Sequence, residues 1–314
     1  MITDMQKLPP SNPQRWTRIL ALLILAHGPV GLLAESSESL EAKESKVQAA
    51  KEVEDTRRKE RRKEVESDSS TAKDAGVAVP SPVQSEVRPM GLSLVGPVMS
   101  AGSDTGSATF QTTLLLSLTE FLDTKLSQTK KVDDAAMLLD LSKLKLLTDS
   151  DVRVYFVGEG AGDKNTLGFN ISGVGVGNGD PHLIFPHASS PVASYDPSSK
   201  AVRSPSSPLL PGDFVDLGKM SSGTALNFFL IANGANGGMN VHSTDRTANP
   251  DGINHVVSFA YATPASSFLI IGFEDLLGGG DRDSNDLVFA VDIGARNIAA
   301  LTGTPILSAP CEAG

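Results

Sequence analysis

The chain has 314 residues, of which 40% are hydrophobic, and a formal net charge of -10. This length suffices for one sizeable core with appendages. The acidic balance argues against a nucleic-acid partner, because binding phosphates needs clustered Lys and Arg, and it suits cations instead. Aromatic residues make up only 5% whereas Gly (29) and Pro (19) are plentiful, which favours short strands and turns over long helices.

Residues 1–34 have the three-part order of a secretory signal peptide. A basic patch at 15–18 precedes the apolar run ILALLILA at 19–26, and Ala34 offers a cleavage position. Gly28 and Pro29 interrupt the apolar run well before the roughly 20 residues that a spanning helix needs. We therefore expect an exported protein, secreted or held at the cell envelope, without a stable transmembrane span. Because Cys311 is the only cysteine, no intrachain disulfide can form, which fits either redox compartment.

The next two segments of the chain, residues 35–66 and 67–108, are predicted to lie outside any hydrophobic core. Residues 35–66 almost lack large hydrophobic side chains and mix both charge signs, so they cannot build a core. A solvated single helix is open for this segment, whereas a coiled coil would need apolar heptad positions. Its basic run RRKERRK, at 57–63, could contact an anionic polymer or lipid, although such runs are usually solvated. Residues 67–108 form a predicted Ser-, Ala- and Pro-rich linker.

The packed domain is predicted at 109–295, followed by a tail at 296–314. Residues 110–126 have apolar side chains at helix-compatible spacing, but a strand pair is equally open. The segments that follow, such as DVRVYFVGEG and NDLVFAVDIG, are rich in β-branched and aromatic residues and are bounded by turn residues. No periodic segment of helix length alternates with them, which disfavours a parallel α/β sheet. We expect an all-β fold, an antiparallel β-sandwich of jelly-roll-like type, with a flexible, charged N-terminal extension.

An acidic loop, defined here as residues 274–286, connects two of these strand-like runs. Its triple glycine, 278–280, permits positive φ angles and a close approach of the backbone to a bound group. Side-chain oxygens without nitrogen or sulfur ligands select hard cations, above all Ca²⁺. The candidate metal ligands are Glu274, Asp275, Asp281, Asp283, Asn285 and Asp286.

The loop differs from an EF-hand, although its D-x-D-x-N spacing resembles the start of one. Asp286 occupies the sixth position, where an EF-hand requires Gly, and the strand-like LVFAV follows instead of a helix. We therefore expect an oxygen-lined site of another kind at one end of the sandwich. Turn capping is the alternative, and it explains one or two of the acids. The mutual repulsion of the five acids among the candidate ligands, which are all of them except Asn285, needs a cation, or an arginine such as Arg246 or Arg282, to offset it.

The chain also resembles a known family over roughly residues 139–293. The runs VYFVGEGAGDKNTLGFN, FFLIANG, NPDGINHVVSF and GFEDLLGGGDRDSNDLVF are similar to the bacterial secreted domain of unknown function 4114. The resemblance implies a β-rich extracellular module of the type seen in surface, adhesin-like and envelope proteins. It adds Asp251 and His255 to the matched set of acidic and polar residues. The chain departs from the family pattern at Asp163, Asn254 and Ser284.

Together these patterns predict an exported calcium-binding β-sandwich module with a structural or adhesion-type role at the cell envelope or outside the cell. Its partner would be a glycan, a matrix component or a surface protein. The loop NGANGGMN, at 233–240, could take part in recognition, although a simple Gly/Asn turn also explains it. The alternative is a carboxylate-dependent hydrolase of extracellular or envelope polysaccharide, with Glu274 or Asp275 paired with Asp281. The scarcity of aromatic side chains to stack on sugars argues against an enzyme.

Overall fold

The computed structural model describes residues 85–126, 139–141, 144–172, 179–193, 195–262 and 266–302. The predicted signal peptide, the charged segment at 35–66 and the first part of the predicted linker lie outside the described residues. Within the described ranges, no helix is both long enough and apolar enough to cross a membrane.

The described chain folds mainly into two antiparallel sheets. One sheet has five strands in the order β4-β1-β9-β8-β7, and the other has four in the order β3-β2-β5-β6. The all-β sandwich predicted from the sequence is confirmed. The strands are β1 Ser150–Gly158, β2 Thr166–Ser172, β3 His182–Phe185, β4 Phe214–Met220, β5 Ala225–Ala232, β6 Asn240–Ser243, β7 Val256–Ala262, β8 Ser267–Phe273 and β9 Leu287–Asp292.

A helical segment precedes the sheets. It consists of α1 Thr105–Thr109, a π-helical stretch Phe110–Leu114 and α2 Leu115–Lys125, which follow one another without a break. Asp104 begins it with a capping box, in which its carboxylate accepts a hydrogen bond from Ser107 N at 2.7 Å. The segment at 110–126, for which the sequence allowed either a helix or a strand pair, is therefore helical. Helix α3, Ala295–Thr302, follows β9, and 3₁₀ turns occur at Pro89–Gly91, Gly234–Asn236 and Arg246–Ala248.

Both faces of the five-stranded sheet are buried. One face packs against the four-stranded sheet, where the ring centroids of Phe228 and Phe289 lie 5.3 Å apart. The other face packs under the α1–α2 segment, where Phe110 stacks on Tyr155 with centroids 4.0 Å apart. A strand that is buried on both sides needs apolar residues at successive positions. This explains why β8 and β9 are nearly continuous apolar runs.

The packed chain extends into both flanking segments of the predicted domain. Leu94 pairs with Leu183 at the edge of β3, and Met99 pairs with Phe214 at the edge of β4. The last part of the predicted linker therefore covers two sheet edges, which would otherwise expose unpaired backbone groups. Downstream, α3 begins at the last residue of the predicted domain and continues into the predicted tail, where Ile298 packs into the core between the sheets.

Candidate metal centre

The acidic loop is held at both ends by the five-stranded sheet. It leaves β8 at Phe273 and enters β9 at Leu287, and these two residues are cross-strand partners. Inside the loop, left-handed backbone conformations occur at Gly280 (φ 40°), Arg282 (φ 62°) and Ser284 (φ 54°). Such angles are strained for residues other than glycine and persist where the surrounding structure enforces them. They alternate with Asp281 and Asp283 and coil the loop back over its own beginning.

This coiling brings five of the six predicted ligands together. The described structure contains two groups of carboxylates, and within each group the oxygens lie within 4.8 Å of one another. The first group is Glu274, Asp281 and Asp283, and the second is Glu274, Asp275 and Asp286. Glu274 belongs to both groups.

The carboxylates are deeply buried for acidic side chains. The exposed fractions are 3% for Glu274, 2% for Asp275 and 1% each for Asp283 and Asp286, whereas Asp281 is half-buried. Burial raises the pKa of Glu274, and the charges of Asp286, Asp281, Asp275 and Asp283 raise it further. At neutral pH the cluster therefore needs either a proton on Glu274 or a positive charge among its oxygens.

Backbone groups fix the orientation of two of these carboxylates. Asp286 Oδ2 accepts a hydrogen bond from Asp275 N at 2.9 Å, and Glu274 Oε2 accepts one from Arg282 N at 3.0 Å. Glycine is required at position 280, because a Cβ atom there would overlap Glu274 Oε1. Arg246 was considered above as a source of positive charge for the acids. Its Nε instead donates a hydrogen bond to the backbone oxygen of Gly252 at 2.7 Å.

The sixth predicted ligand, Asn285, lies beside the cluster and positions its neighbours. Its Nδ2 donates to Asp283 Oδ2 at 2.8 Å and to Leu126 O at 3.2 Å. The backbone carbonyl oxygen of Asn285 accepts a hydrogen bond from Gly160 N at 2.9 Å. Asn285 thereby ties the acidic loop to the residue that follows α2 and to the chain beyond β1.

Asp251 and His255, the two residues added by the family resemblance, make hydrogen bonds to backbone groups of the acidic loop. His255 Nδ1 contacts Glu274 O at 3.1 Å, and its Nε2 contacts Asp251 Oδ2 at 2.9 Å. Asp251 Oδ2 also accepts a hydrogen bond from Gly278 N at 2.8 Å. Although partial burial opposes the change, the hydrogen bonds from Gly278 and His255 lower the pKa of Asp251 to about 2. Neither residue belongs to the two described carboxylate groups.

Sequence reasoning missed two buried residues of this region. The ring of His242 stacks on His255 with centroids 3.8 Å apart, and its Nε2 donates to Asp275 O at 3.0 Å. Burial, together with the neighbouring His255, lowers the pKa of His242 to about 4. Asn165 donates from Nδ2 to Asp275 Oδ2 at 2.7 Å and accepts from Asn233 N at 2.9 Å. No residue pattern marks either side chain as part of an acidic site more than 30 residues away in sequence. His242 and Asn165 belong to the four-stranded sheet and the chain that leads into it, and the packing of the two sheets brings them to the loop between β8 and β9.

Asn165→Ala is expected to lower the free energy of unfolding by about 1–3 kcal/mol, because it leaves buried polar groups without their partner. Urea denaturation followed by circular dichroism measures the change. Asn236→Ala, at the exposed end of the neighbouring loop, serves as the control and should change stability by less than about 0.5 kcal/mol. Equal effects of the two substitutions would contradict the role assigned to Asn165.

One comparison with known proteins identifies part of the chain. Residues 220–294 match the model of the family described as Domain of unknown function (DUF4114). The matched residues begin at the end of β4, include all eight candidate site residues and leave β1, β2 and β3 outside the match. No curated protein and no solved structure matches the chain. As its resemblance predicted, the chain carries a DUF4114 segment, which spans residues 220–294.

Proposed function

We propose that this chain is a calcium-binding β-sandwich module of an exported protein, with a structural or adhesion-type role at the cell envelope or outside the cell. The observation that carries the proposal is the convergence of five carboxylates, four of them buried, in two groups that share Glu274. Burying several like charges at one place costs stability unless a counter-charge joins them. A bound cation supplies that charge.

Calcium fits this cluster better than magnesium does. A Ca²⁺ ion takes about six to eight oxygen ligands in a flexible geometry, and the two groups of carboxylates offer oxygens from five side chains. Mg²⁺ demands near-ideal octahedral geometry and usually keeps several waters. The buried carboxylates of Asp275, Asp283 and Asp286 leave little room for such waters.

The position of the ligands suggests what a bound cation would do. Glu274 and Asp275 lie where the acidic loop begins, whereas Asp281, Asp283 and Asp286 lie towards its end. A cation held by both sets closes the loop between β8 and β9. Because Asn285 connects the same loop to Leu126 and Gly160, this closure would also stabilise the end of α2. Folding of this end of the sandwich would then depend on extracellular calcium.

Calcium is expected to raise the melting temperature of the full-length chain above its value in EDTA. At a calcium concentration 100 times the dissociation constant the gain is about 2.7 kcal/mol, which corresponds to about 5–10 °C for a domain of this size. Differential scanning fluorimetry measures the change, with Mg²⁺ as the comparison ion. The double substitution Asp281→Asn, Asp283→Asn should abolish it. The exposed pair Asp151→Asn, Asp180→Asn removes the same charge elsewhere and should preserve it.

The alternative function, a polysaccharide hydrolase, would use Glu274 as the general acid. A raised pKa suits that role, but Glu274 is only 3% exposed, and a polymer has to reach the acid that protonates it. Burial therefore favours the cation. Polysaccharide turnover by the wild-type chain that Glu274→Gln abolishes, without any calcium effect on melting, would favour the hydrolase instead.

A further inference from the structure

A surface cleft lies beside the proposed cation site. It has a volume of about 380 Å³, which falls within the usual range of ligand pockets. Its walls come from the β5–β6 connection, from the start of the acidic loop and from the chain between β1 and β2. The residues that line it include Asp163, Asn233, Met239, Asn240, Asp275 and Leu277. Asp275 belongs both to this cleft and to the carboxylate cluster.

The cleft carries two exposed aliphatic side chains. Met239 is 54% exposed and Leu277 is 52% exposed, and both line the cleft. They come from different loops, so the apolar surface is assembled by the fold and not by a local apolar run. Exposed apolar surface gathered at one concave place is typical of a binding site.

The charge of the cleft limits what it can bind. None of the described residues that line it is positively charged, whereas Asp163 and Asp275 are acidic. The nearby Lys164 directs its ammonium away, to Ser206 O at 3.2 Å. The whole chain carries a formal net charge of -10, which attracts cationic ligands from a distance and repels anions. A phosphate or sulfate group is therefore disfavoured.

The cleft is held in shape by hydrogen bonds between its walls. Asn165 joins Asp275 Oδ2 to Asn233 N, and Asn233 Oδ1 in turn accepts a hydrogen bond from Lys164 N at 3.1 Å. Gly238 has to be glycine, because a Cβ atom there would overlap Ala232 O. A cleft built in this way needs little ordering when a ligand enters, which favours binding.

We propose that the cleft binds a lysine side chain of a protein partner. The aliphatic stem would pack on Met239 and Leu277, and the ammonium group would pair with Asp163, because lysine combines an apolar stem with a charged end. The inference rests on the proposed function in one respect, since a cation in the cluster would hold Asp275 in place and leave Asp163 as the acid of the cleft that pairs with the ammonium group. Because this pairing needs both an aliphatic stem and a positive charge, the proposed partner is a surface protein with accessible lysines, not a neutral glycan.

Methyl NMR of the full-length chain with ¹³C-labelled methionine methyl groups tests this proposal. The Met239 signal is assigned by its loss in Met239→Leu. With calcium at saturation, the probe N-acetyl-Ala-Lys-Ala-amide is expected to shift this signal in a saturable manner. The same peptide with norleucine instead of lysine should bind at least about threefold more weakly, as should the lysine peptide with Asp163→Asn. Asp180→Asn, an equal change of charge outside the cleft, should leave binding unchanged.

The outcomes separate this inference from the proposed function. If calcium raises the melting temperature but the lysine peptide leaves Met239 unshifted, the cleft inference is wrong and the calcium function stands. Equal binding of the norleucine peptide, or a shift with methyl glucoside but not with the lysine peptide, also overturns the lysine assignment. If the lysine peptide binds equally well in EDTA and calcium leaves melting unchanged, the cleft stands and the calcium function fails.

Discussion

Glu274→Gln is expected to have opposite effects on stability with and without calcium. In EDTA at neutral pH the substitution should raise the free energy of unfolding by about 1 kcal/mol or more, because it removes a buried acid that its neighbours repel. That gain corresponds to about 2–4 °C in melting temperature. With calcium present, the same substitution removes the carboxylate shared by both groups and should abolish the calcium-dependent rise.

The dependence on pH follows from the same carboxyl group. The pKa of Glu274 in the folded chain lies above its ordinary value of 4.5. In the absence of a cation, its contribution to stability is therefore fully present below about pH 4.5 and is lost as the pH rises towards the raised pKa. Protons compete with calcium for the same oxygens, so the calcium-dependent rise should be larger at pH 8 than at pH 5.

Melting curves of the wild-type chain and of Glu274→Gln, in EDTA and in calcium at both pH values, measure these effects. Glu86→Gln, at an exposed position, removes the same charge and should behave as the wild type. If Glu274→Gln destabilises the chain equally in EDTA and in calcium, Glu274 is a structural side chain and the account of the cluster is wrong.

Gly280→Ala is expected to abolish calcium binding. Gly280 has a positive φ of 40°, and a Cβ atom would overlap the Glu274 carboxylate. The methyl group would displace Glu274 from both groups of carboxylates, in addition to the cost of about 1 kcal/mol or more that a non-glycine residue meets at such an angle. The calcium-dependent rise in melting temperature should disappear.

Gly278→Ala is the matched control for this substitution. Gly278 also has a positive φ, 81°, but a Cβ atom there would meet nothing within 4 Å. Both variants therefore carry backbone strain, and only Gly280→Ala disturbs Glu274. We expect Gly278→Ala to melt at a lower temperature than the wild type and yet to keep the full calcium-dependent rise. Loss of the calcium response in both variants would show that strain in the triple glycine, and not the position of Glu274, controls the site.

The sandwich could be predicted from the sequence because its strands are β-branched, aromatic and bounded by turn residues. The nature of residues 110–126 could not, since a short apolar segment packs equally well as a helix or as a strand. What settles it is tertiary packing, in which Phe110 stacks on Tyr155. The pairing of Leu94 and Met99 with two sheet edges could not be predicted either, because the Pro- and Ser-rich composition around them is typical of a linker.

The carboxylates of the acidic loop could be predicted because they crowd into one short segment. Their arrangement could not, because it depends on left-handed conformations at Arg282 and Ser284, two residue types that do not favour them. Asn165 was missed for a different reason. It is a single amide in a loop, and only the packing of one sheet on the other brings that loop to Asp275.

Isothermal titration of calcium into the full-length chain, stripped of divalent ions with EDTA and dialysed, tests the central claim most directly. The account predicts saturable binding of one Ca²⁺ ion per chain, held by both groups of carboxylates, clearly weaker binding of Mg²⁺, and no calcium binding by Asp281→Asn, Asp283→Asn. Absence of calcium binding at millimolar concentrations, or unchanged binding by that double variant, would contradict it.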